Sequence, residues 1–412
     1  MFDLEPIAKL FNQYQPILPL AALAILISFI LTPLTGKLAE AVGAIDAPAQ
    51  QRDSRDQTRT RRIHTVAMTR LGGLAIFAAI VVSVLVAGQS GMLQLNSPQL
   101  LHILAGLTLI SILGFFDSRG DISGSKQLLI QVIAALIVTM GGIKILNLDI
   151  LGLFINFDLV NFTIPLGSLT LYFSPIADIV SILWIVGLIN AMNWVAGIDG
   201  LASSMSVVAA LTLTFIGIEN GAVMAAILAA ITFGAILGFL PFNLPPARTF
   251  NGGIGDMTQG YMLAILAIVS GAKLTTSIIL LALPIIDAVW VLGGRYIKHR
   301  KELKSPKDLL EISDKTHLHH RLLDLGLTIR QTLAVEMLIF FCFCIAAYQL
   351  AGFSGETVIA MIAVLMCLLI FVVLKVLHTL RFKRLEKLTK ANSDGSSVAK
   401  VNLETPEEKY AY

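Results

Sequence analysis

Long apolar segments, separated by short polar connections, recur along most of the chain. A helix of about 20 apolar residues crosses about 30 Å of hydrocarbon, so the pattern predicts membrane-spanning helices rather than a soluble core. The fold class expected is an all-α polytopic membrane protein with about eleven transmembrane helices. They cover residues 17–36, 71–88, 99–116, 126–142, 176–193, 202–217, 221–239, 258–271, 275–294, 331–351 and 356–376.

One connection, residues 144–175, has a different pattern. Residues 155–173 are rich in Phe, Ile, Val, Thr and Leu, with Pro165 and Gly167 near the middle. Strand-forming residues on both sides of a turn signal predict a small β-hairpin, on the extracytoplasmic surface.

Composition agrees with the membrane assignment. Of 412 residues, 56% are hydrophobic and 14% charged, which lies outside the range of soluble globular domains. The cysteines, Cys342, Cys344 and Cys367, all fall inside apolar segments and indicate neither a disulfide framework nor a metal site. The first apolar segment lacks a basic leader and a cleavage site, so we expect it to be retained.

Basic residues set the orientation. All but Lys9, Lys144 and Lys273 of the 30 Lys and Arg residues lie in alternate connections or at their helix edges, which places those connections in the cytoplasm. The N-terminus is then outside and the C-terminus inside. Residues 1–380 form one transmembrane domain, and residues 381–412 a basic and then polar cytoplasmic tail, expected to be disordered.

Polar residues cluster on that cytoplasmic side. Asn190 and Asn193 share one face of a helix end, and Gly197 and Gly200 then free the backbone to turn. This pattern is typical of a polar binding site at the membrane edge, and equally of a helix terminus with capping Asn residues.

Acidic residues appear at two further connections. Asp117 emerges at the end of the third span beside Ser118, where a carboxylate either snorkels to water or ligates Mg²⁺. Residues 241–256 hold three glycines in four positions and end at Asp256, which favours a ligand-facing loop over a simple hinge.

Basic and histidine-rich connections suit phosphate. Three histidines, His317, His319 and His320, precede Arg321. Zinc is one reading, but no second His or Cys cluster faces them, so hydrogen bonds to phosphate are favoured. The Arg-rich connection 43–70, with His64, is either a topology determinant or a phosphate-binding surface. Asp287, inside the ninth span, should face the bundle interior.

Four of these clusters occur together in a recognisable order. They are Arg70-Leu71-Gly72-Gly73, the Asn190 to Leu201 stretch, Asn243 with Pro246, Ala247 and Phe250, and His317 to Leu322. With them the chain resembles the polyprenyl-phosphate N-acetylhexosamine-1-phosphate transferases from about residue 15 to 380. The histidine cluster is similar to that of the N-acetylglucosamine branch.

The resemblance implies Mg²⁺-dependent chemistry, with Mn²⁺ as an alternative ion. N-acetylglucosamine 1-phosphate, or a related sugar 1-phosphate, would pass from a UDP-sugar to undecaprenyl phosphate at the cytoplasmic face of the inner (plasma) membrane, releasing UMP. This would be the first membrane step of a cell-envelope glycan pathway. The implied partners are UDP-sugar, polyprenyl phosphate and the bilayer, with a homodimer left open and no nucleic acid.

The resemblance also implies roles for individual residues. Gly197, Ile198 and Asp199 would hold the uracil with Phe250 stacked on it. Asn190, Asn193 and Asn243 would line the polar cleft. Asp117 and the histidines His317, His319 and His320 would be the catalytic groups, with Arg321 meeting phosphate. Asp117 would be a metal ligand; Asp256, which departs from the family pattern, would join it only if the glycine-rich loop refolds.

The chain also departs from the family pattern. Ser118, Ala196 and Gly253 stand where the family has acids. Two readings therefore stay open: an active transferase with a rearranged metal site, using Asp256 or Asp121, and a catalytically impaired member that binds nucleotide-sugar or lipid phosphate as a scaffold or regulator. A transporter, suggested by Asp287 alone, is a third.

Overall fold

Helices dominate the structure, a computed structural model that describes residues 17–46, 67–120, 122–150, 153–166, 169–300, 316–352 and 379. They are α1 (Leu18–Val42), α2 (Gly72–Gln89), α3 (Pro98–Arg119), α4 (Gly124–Met140), α5 (Pro175–Val195), α6 (Leu201–Glu219), α7 (Val223–Asn243), α8 (Gly252–Val269), α9 (Leu274–Leu280), α10 (Ala282–His299), α11 (Leu318–Asp324) and α12 (Ile329–Gly352).

The polytopic all-α prediction is confirmed. Within the described residues, eight helices are long and apolar enough to cross a membrane, and α9 with α10 makes a ninth span bent by 76°. The shorter apolar helix α4 corresponds to the fourth predicted span. The eleventh predicted span, residues 356–376, lies outside the described residues, as do the tail 381–412, Asp121 and His64.

Six short strands form three antiparallel pairs. On the side predicted to be extracytoplasmic, β3 (Asn147–Ile150) pairs with β4 (Leu153–Asn156), and β5 (Phe162–Leu166) pairs with β6 (Leu169–Phe173). The predicted hairpin is thus confirmed and preceded by a second one. On the other side, β1 (Ile45–Asp46) and β2 (Met68–Thr69) pair just before α2.

Helix α8 lies at the centre of the bundle. It packs against α2, α3, α5 and α6, and 89% of its 18-residue apolar stretch is buried inside the protein. In α1 only 33% of the 18-residue apolar stretch is buried, and Leu26, Phe29 and Ile30 are exposed. Exposed apolar side chains on a spanning helix face lipid, so α1 is peripheral and α8 is enclosed by protein.

Glycines let α8 enter the bundle at close range. A Cβ at Gly73 would overlap the backbone of Gly255, and one at Gly114 would overlap the backbone of Ile254. Small residues permit such backbone approach between membrane helices. The eighth span was predicted to start at residue 258, but the helix starts at Gly252. The glycines at the start of α8 pack closely against neighbouring helices and do not form a flexible loop.

This contact yields a stability prediction. Gly114→Val should destabilise the fold by about 1–3 kcal/mol, because the added side chain must push α3 away from α8. The matched control is Gly187→Ala, since a Cβ at Gly187 in α5 meets nothing within 4 Å. Thermal unfolding of the purified protein in detergent measures both, and equal melting temperatures would contradict the close-contact interpretation.

Candidate active site

The sequence-predicted site residues gather at one end of the bundle. They lie where α3, α5 and α7 end and where α2, α6, α8 and α11 begin. The connection between α7 and α8 joins these helix ends, because Phe250 N–H donates to the Thr69 carbonyl at 2.9 Å and Gly72 N–H donates to the Phe250 carbonyl at 3.1 Å. The predicted cytoplasmic connections therefore share one region.

Asp117 lies in the last turn of α3 against the first turn of α8. Gln127 of α4 donates a hydrogen bond from Nε2 to its Oδ1. A Cβ at Gly253 would overlap the Asp117 carboxylate, so glycine at position 253 makes room for this acid. Ser118 donates from Oγ to the Gly114 carbonyl at 2.8 Å, and a Cβ at Gly252 would lie 2.7 Å from that Oγ. Asp117 is thus accommodated at this junction by the missing side chain at position 253.

Asp256 is held by a chain of polar side chains. Asn251 donates from Nδ2 to Asp256 Oδ1 at 2.8 Å and to Ser203 Oγ at 2.9 Å. Ser203 donates to Asn243 Oδ1 at 2.9 Å, and Gln259 donates to Asn251 Oδ1 at 3.1 Å. The network therefore fixes the orientation of the Asp256 side chain near the start of α8.

Sequence reasoning named Asn243 and Asp256 but missed Asn251, Ser203 and Gln259. Asp256 and Gln259 are three residues apart, which would have placed them on one face had the start of α8 been assigned correctly. The contact with Ser203 joins residues that are 48 positions apart and has no local signal.

The turn at residues 197–200 lies between two other connections. Asp199 is buried, and its Oδ2 accepts the Ala247 N–H at 2.9 Å. Gly197 is exposed, and a Cβ there would overlap the imidazole of His319. Ile198 is buried. This turn therefore contacts the α7–α8 connection on one side and the histidine cluster on the other.

The two carboxamides, Asn190 and Asn193, lie in the last two turns of α5, before that turn. Asn190 donates from Nδ2 to Gln131 Oε1 at 2.7 Å and to the Val186 carbonyl at 2.8 Å. Its amide therefore links α5 to α4. Asn193, one turn further on, is half-buried.

Asp287 organises the histidine cluster. Its Oδ2 lies 2.7 Å from His317 Nδ1, and its Oδ1 accepts the Leu318 N–H at 2.9 Å, so one carboxylate orients the imidazole and caps α11. His317 is only 1% exposed, and its Nε2 has no hydrogen-bond partner among the described residues. The expectation that Asp287 faces the bundle interior is confirmed.

The three imidazoles are in mutual contact. The His317 and His319 rings stack with centroids 5.4 Å apart, and His320 lies 4.4 Å from His319. Within the described ranges, no group of three or more His, Cys, Asp or Glu side chains is arranged to hold a metal. The cluster thus gives no support to the zinc reading.

Two buried arginines flank the histidines. The guanidinium of Arg321 lies 5.4 Å from the Trp290 ring centroid, and that of Arg295 lies 5.4 Å from the Trp194 centroid. An indole face stabilises a cation while leaving guanidinium N–H groups able to meet an anion. Sequence reasoning missed Arg295, because basic residues at a cytoplasmic helix end already follow from membrane orientation.

The carboxylates near the start of α8 are the groups available to hold a divalent ion. The Asp117 carboxylate lies against Gly253, and Asp256 follows three residues later on α8. Mg²⁺ commonly takes one or two protein carboxylates, several waters and the phosphates of a ligand. Among the described residues no group of three or more His, Cys, Asp or Glu side chains is placed to hold a metal, so an ion at Asp117 and Asp256 would need ligand oxygens and water to complete its coordination.

Comparison with known proteins identifies the family of the chain. The sequence profile of glycosyl transferase family 4 matches residues 100–271. The chain is 31% identical over 333 residues to a probable undecaprenyl-phosphate N-acetylglucosaminyl 1-phosphate transferase of Bacillus subtilis, covering 79% of this chain and 83% of that protein.

Two further relatives are more distant. A decaprenyl-phosphate N-acetylglucosaminephosphotransferase of Mycobacterium leprae is 26% identical, over 80% of this chain and 81% of its own length. A phospho-N-acetylmuramoyl-pentapeptide-transferase of Staphylococcus saprophyticus is 27% identical, over 62% of this chain and 77% of its own length. The chain therefore belongs to the glycosyl transferase family 4 of polyprenyl-phosphate N-acetylhexosamine-1-phosphate transferases, multi-pass proteins of bacterial membranes.

Proposed function

We propose that this protein transfers N-acetylglucosamine 1-phosphate from UDP-N-acetylglucosamine to undecaprenyl phosphate, releasing UMP, as the first membrane step of a cell-envelope glycan. The observation that carries the proposal is the contact between Gly197 and His319. In this contact the turn proposed to bind uracil lies next to the histidines proposed to bind phosphate. A nucleoside diphosphate carries its base and its phosphates in one molecule, so it could occupy both.

Each part of the site has a task in this proposal. The turn Gly197–Asp199 and Phe250 hold the uracil. The histidines and Arg321 donate hydrogen bonds to phosphate oxygens, and the Asp287 carboxylate keeps the His317 ring in one orientation. Because phosphoryl transfer depends mainly on positioning and charge neutralisation, these fixed donors address both needs.

Asp117 and Asp256 are the proposed holders of Mg²⁺. When bound, the ion would neutralise charge on the phosphates during transfer. The protein's own contribution here is the network through Asn251, which keeps Asp256 in place beside the glycine junction that admits Asp117.

A second candidate is a family member that binds the nucleotide-sugar without turning it over. The observation that favours it is local: Ser118 bonds the Gly114 carbonyl, and the Asp117 carboxylate occupies the space next to Gly253. Two carboxylates neutralise less charge than the larger acidic set of the family.

The transfer assay separates the two candidates. Purified protein in lipid, given radiolabelled UDP-N-acetylglucosamine, undecaprenyl phosphate and Mg²⁺, should form lipid-linked product. Asp117→Asn should lower the rate by about 10²-fold or more, because it removes one of two charges available to the metal. Asp158→Asn, on the opposite side of the membrane, is the matched control and should leave the rate unchanged.

Nucleotide binding without product would support the second candidate. In that case restoring Asp at positions 118, 196 and 253 together should create activity. Asp117 must then shift, since a Cβ at Gly253 overlaps its carboxylate. Absence of both product and nucleotide binding would overturn both candidates.

Gly197→Ala tests the contact between turn and histidine directly. The added methyl group should displace the His319 ring and weaken binding of UDP-N-acetylglucosamine about tenfold, a loss of about 1.4 kcal/mol. Isothermal titration measures the affinity, with Gly187→Ala as the control that adds the same methyl group in open space. Unchanged affinity would separate the histidines from the nucleotide site.

Asp287→Asn tests the orientation of His317. An Asn oxygen can still accept the Leu318 N–H, but the charge-assisted bond to the imidazole is lost. We expect kcat to fall about 10²-fold with a nearly unchanged melting temperature. A large loss of stability with kcat retained would assign Asp287 a purely structural role.

A further inference from the structure

The extracytoplasmic hairpins expose many large apolar side chains. Phe154 is 63% exposed and Leu159 is 67% exposed, and the exposed set also includes Leu153, Ile155, Val160, Phe162, Ile164 and Tyr172. A water-facing surface rarely holds so many neighbouring large apolar groups, so such a patch marks an interaction surface.

Both faces of the β3–β4 hairpin are apolar. All four residues of β4 are exposed, and three of them in succession, Leu153, Phe154 and Ile155, are apolar. Successive side chains of a strand point to opposite faces. A protein partner would cover one face of such a hairpin, whereas fluid lipid covers both.

Charged groups of this region lie at its base and are paired. Lys144 Nζ is 2.6 Å from Asp178 Oδ1, and Lys273 Nζ is 2.9 Å from Asp149 Oδ2. Among described residues 153–166, the only ionisable side chain is Asp158, whose Oδ2 accepts a hydrogen bond from Asn161. The projecting part therefore carries almost no charge.

The apolar surface continues onto the bundle. Helix α5 begins at Pro175, directly after β6, and its outer half exposes Ile176, Ile179 and Leu183. On a membrane-spanning helix these side chains face lipid. The hairpin surface is thus continuous with the lipid-facing surface of α5.

We infer that the two hairpins lie in the outer leaflet of the bilayer, at the boundary between head groups and acyl chains. The hydrocarbon core is excluded, because two-stranded hairpins have edge N–H and C=O groups that need partners, and only water and head groups provide them. Apolar groups at this boundary reach about 5–10 Å into it. The inference is independent of the reaction that the opposite side of the protein performs.

Fluorescence quenching tests the inference on the full chain. Single cysteines replace Phe154 and, separately, Leu159, with Cys342, Cys344 and Cys367 changed to Ala. Each variant is labelled with bimane and reconstituted into phosphatidylglycerol–phosphatidylethanolamine vesicles. Iodide reports contact with water, and nitroxides at a shallow or a deep acyl position report contact with lipid.

Two control positions represent a lipid-facing site and a water-facing site. Leu183→Cys lies on α5 and is exposed to the same fraction as Leu159, 67%. Gln94→Cys lies in the exposed connection between α2 and α3 on the same side of the membrane. Geometric exposure alone does not distinguish Leu159 from Leu183, so the comparison isolates what covers each site.

Lipid contact predicts iodide quenching about tenfold weaker at both hairpin positions than at Gln94, with shallow nitroxides quenching more than deep ones. Iodide quenching equal to that of Gln94 would overturn the inference. Protection from iodide and from both nitroxides would also overturn it, in favour of a second copy or another protein covering the hairpins. Strongest quenching by the deep nitroxide would contradict the boundary depth. The two positions are independent, so one poorly folded variant leaves the other as the test.

Discussion

The close contact between the first turn of α8 and the starts and ends of its neighbours is the constraint on which the site depends. The first backbone N–H groups of a helix have no partner within it. In α2 two of them are satisfied from the α7–α8 connection: Gly72 N–H bonds the Phe250 carbonyl at 3.1 Å, and Gly73 N–H bonds the Asn251 carbonyl at 2.9 Å. Glycine is required there, because any side chain would separate the two backbones.

The position of the acids follows from that contact. Asp117 reaches α8 because residue 253 has no side chain, and Asp256 is aligned by Asn251, whose carbonyl also accepts the Gly73 N–H. Buried polar side chains are costly unless they are paired, and most atoms of this network have partners.

The two sides of the membrane use polar groups differently. On the predicted cytoplasmic side, Asp287, the histidines and two arginines are buried together and oriented toward one region. On the outer side, lysines and acids pair with each other at the base of two apolar hairpins. Polar and charged side chains are therefore grouped at one end of the bundle, whereas at the other end the charges form ion pairs with each other.

The sequence by itself determined the class of protein, the spans and the identity of most candidate residues. Apolar length and the distribution of Lys and Arg are local properties that decide membrane insertion, so eight described helices and the bent pair α9–α10 lie where spans were predicted, apart from the start of α8. The clusters around Asn190, Asp117 and His317 were likewise visible as short motifs.

Only the tertiary structure decided which of these residues meet. The Asp287–His317 pair, the contact of Gly197 with His319 and the bond between Ser203 and Asn251 join residues far apart in the chain. The same applies to the start of α8, where a run of glycines predicted a loop and packing against α2 and α3 made a helix. Such contacts depend on how complete helices pack, and no local pattern of hydrophobic and polar residues encodes that arrangement.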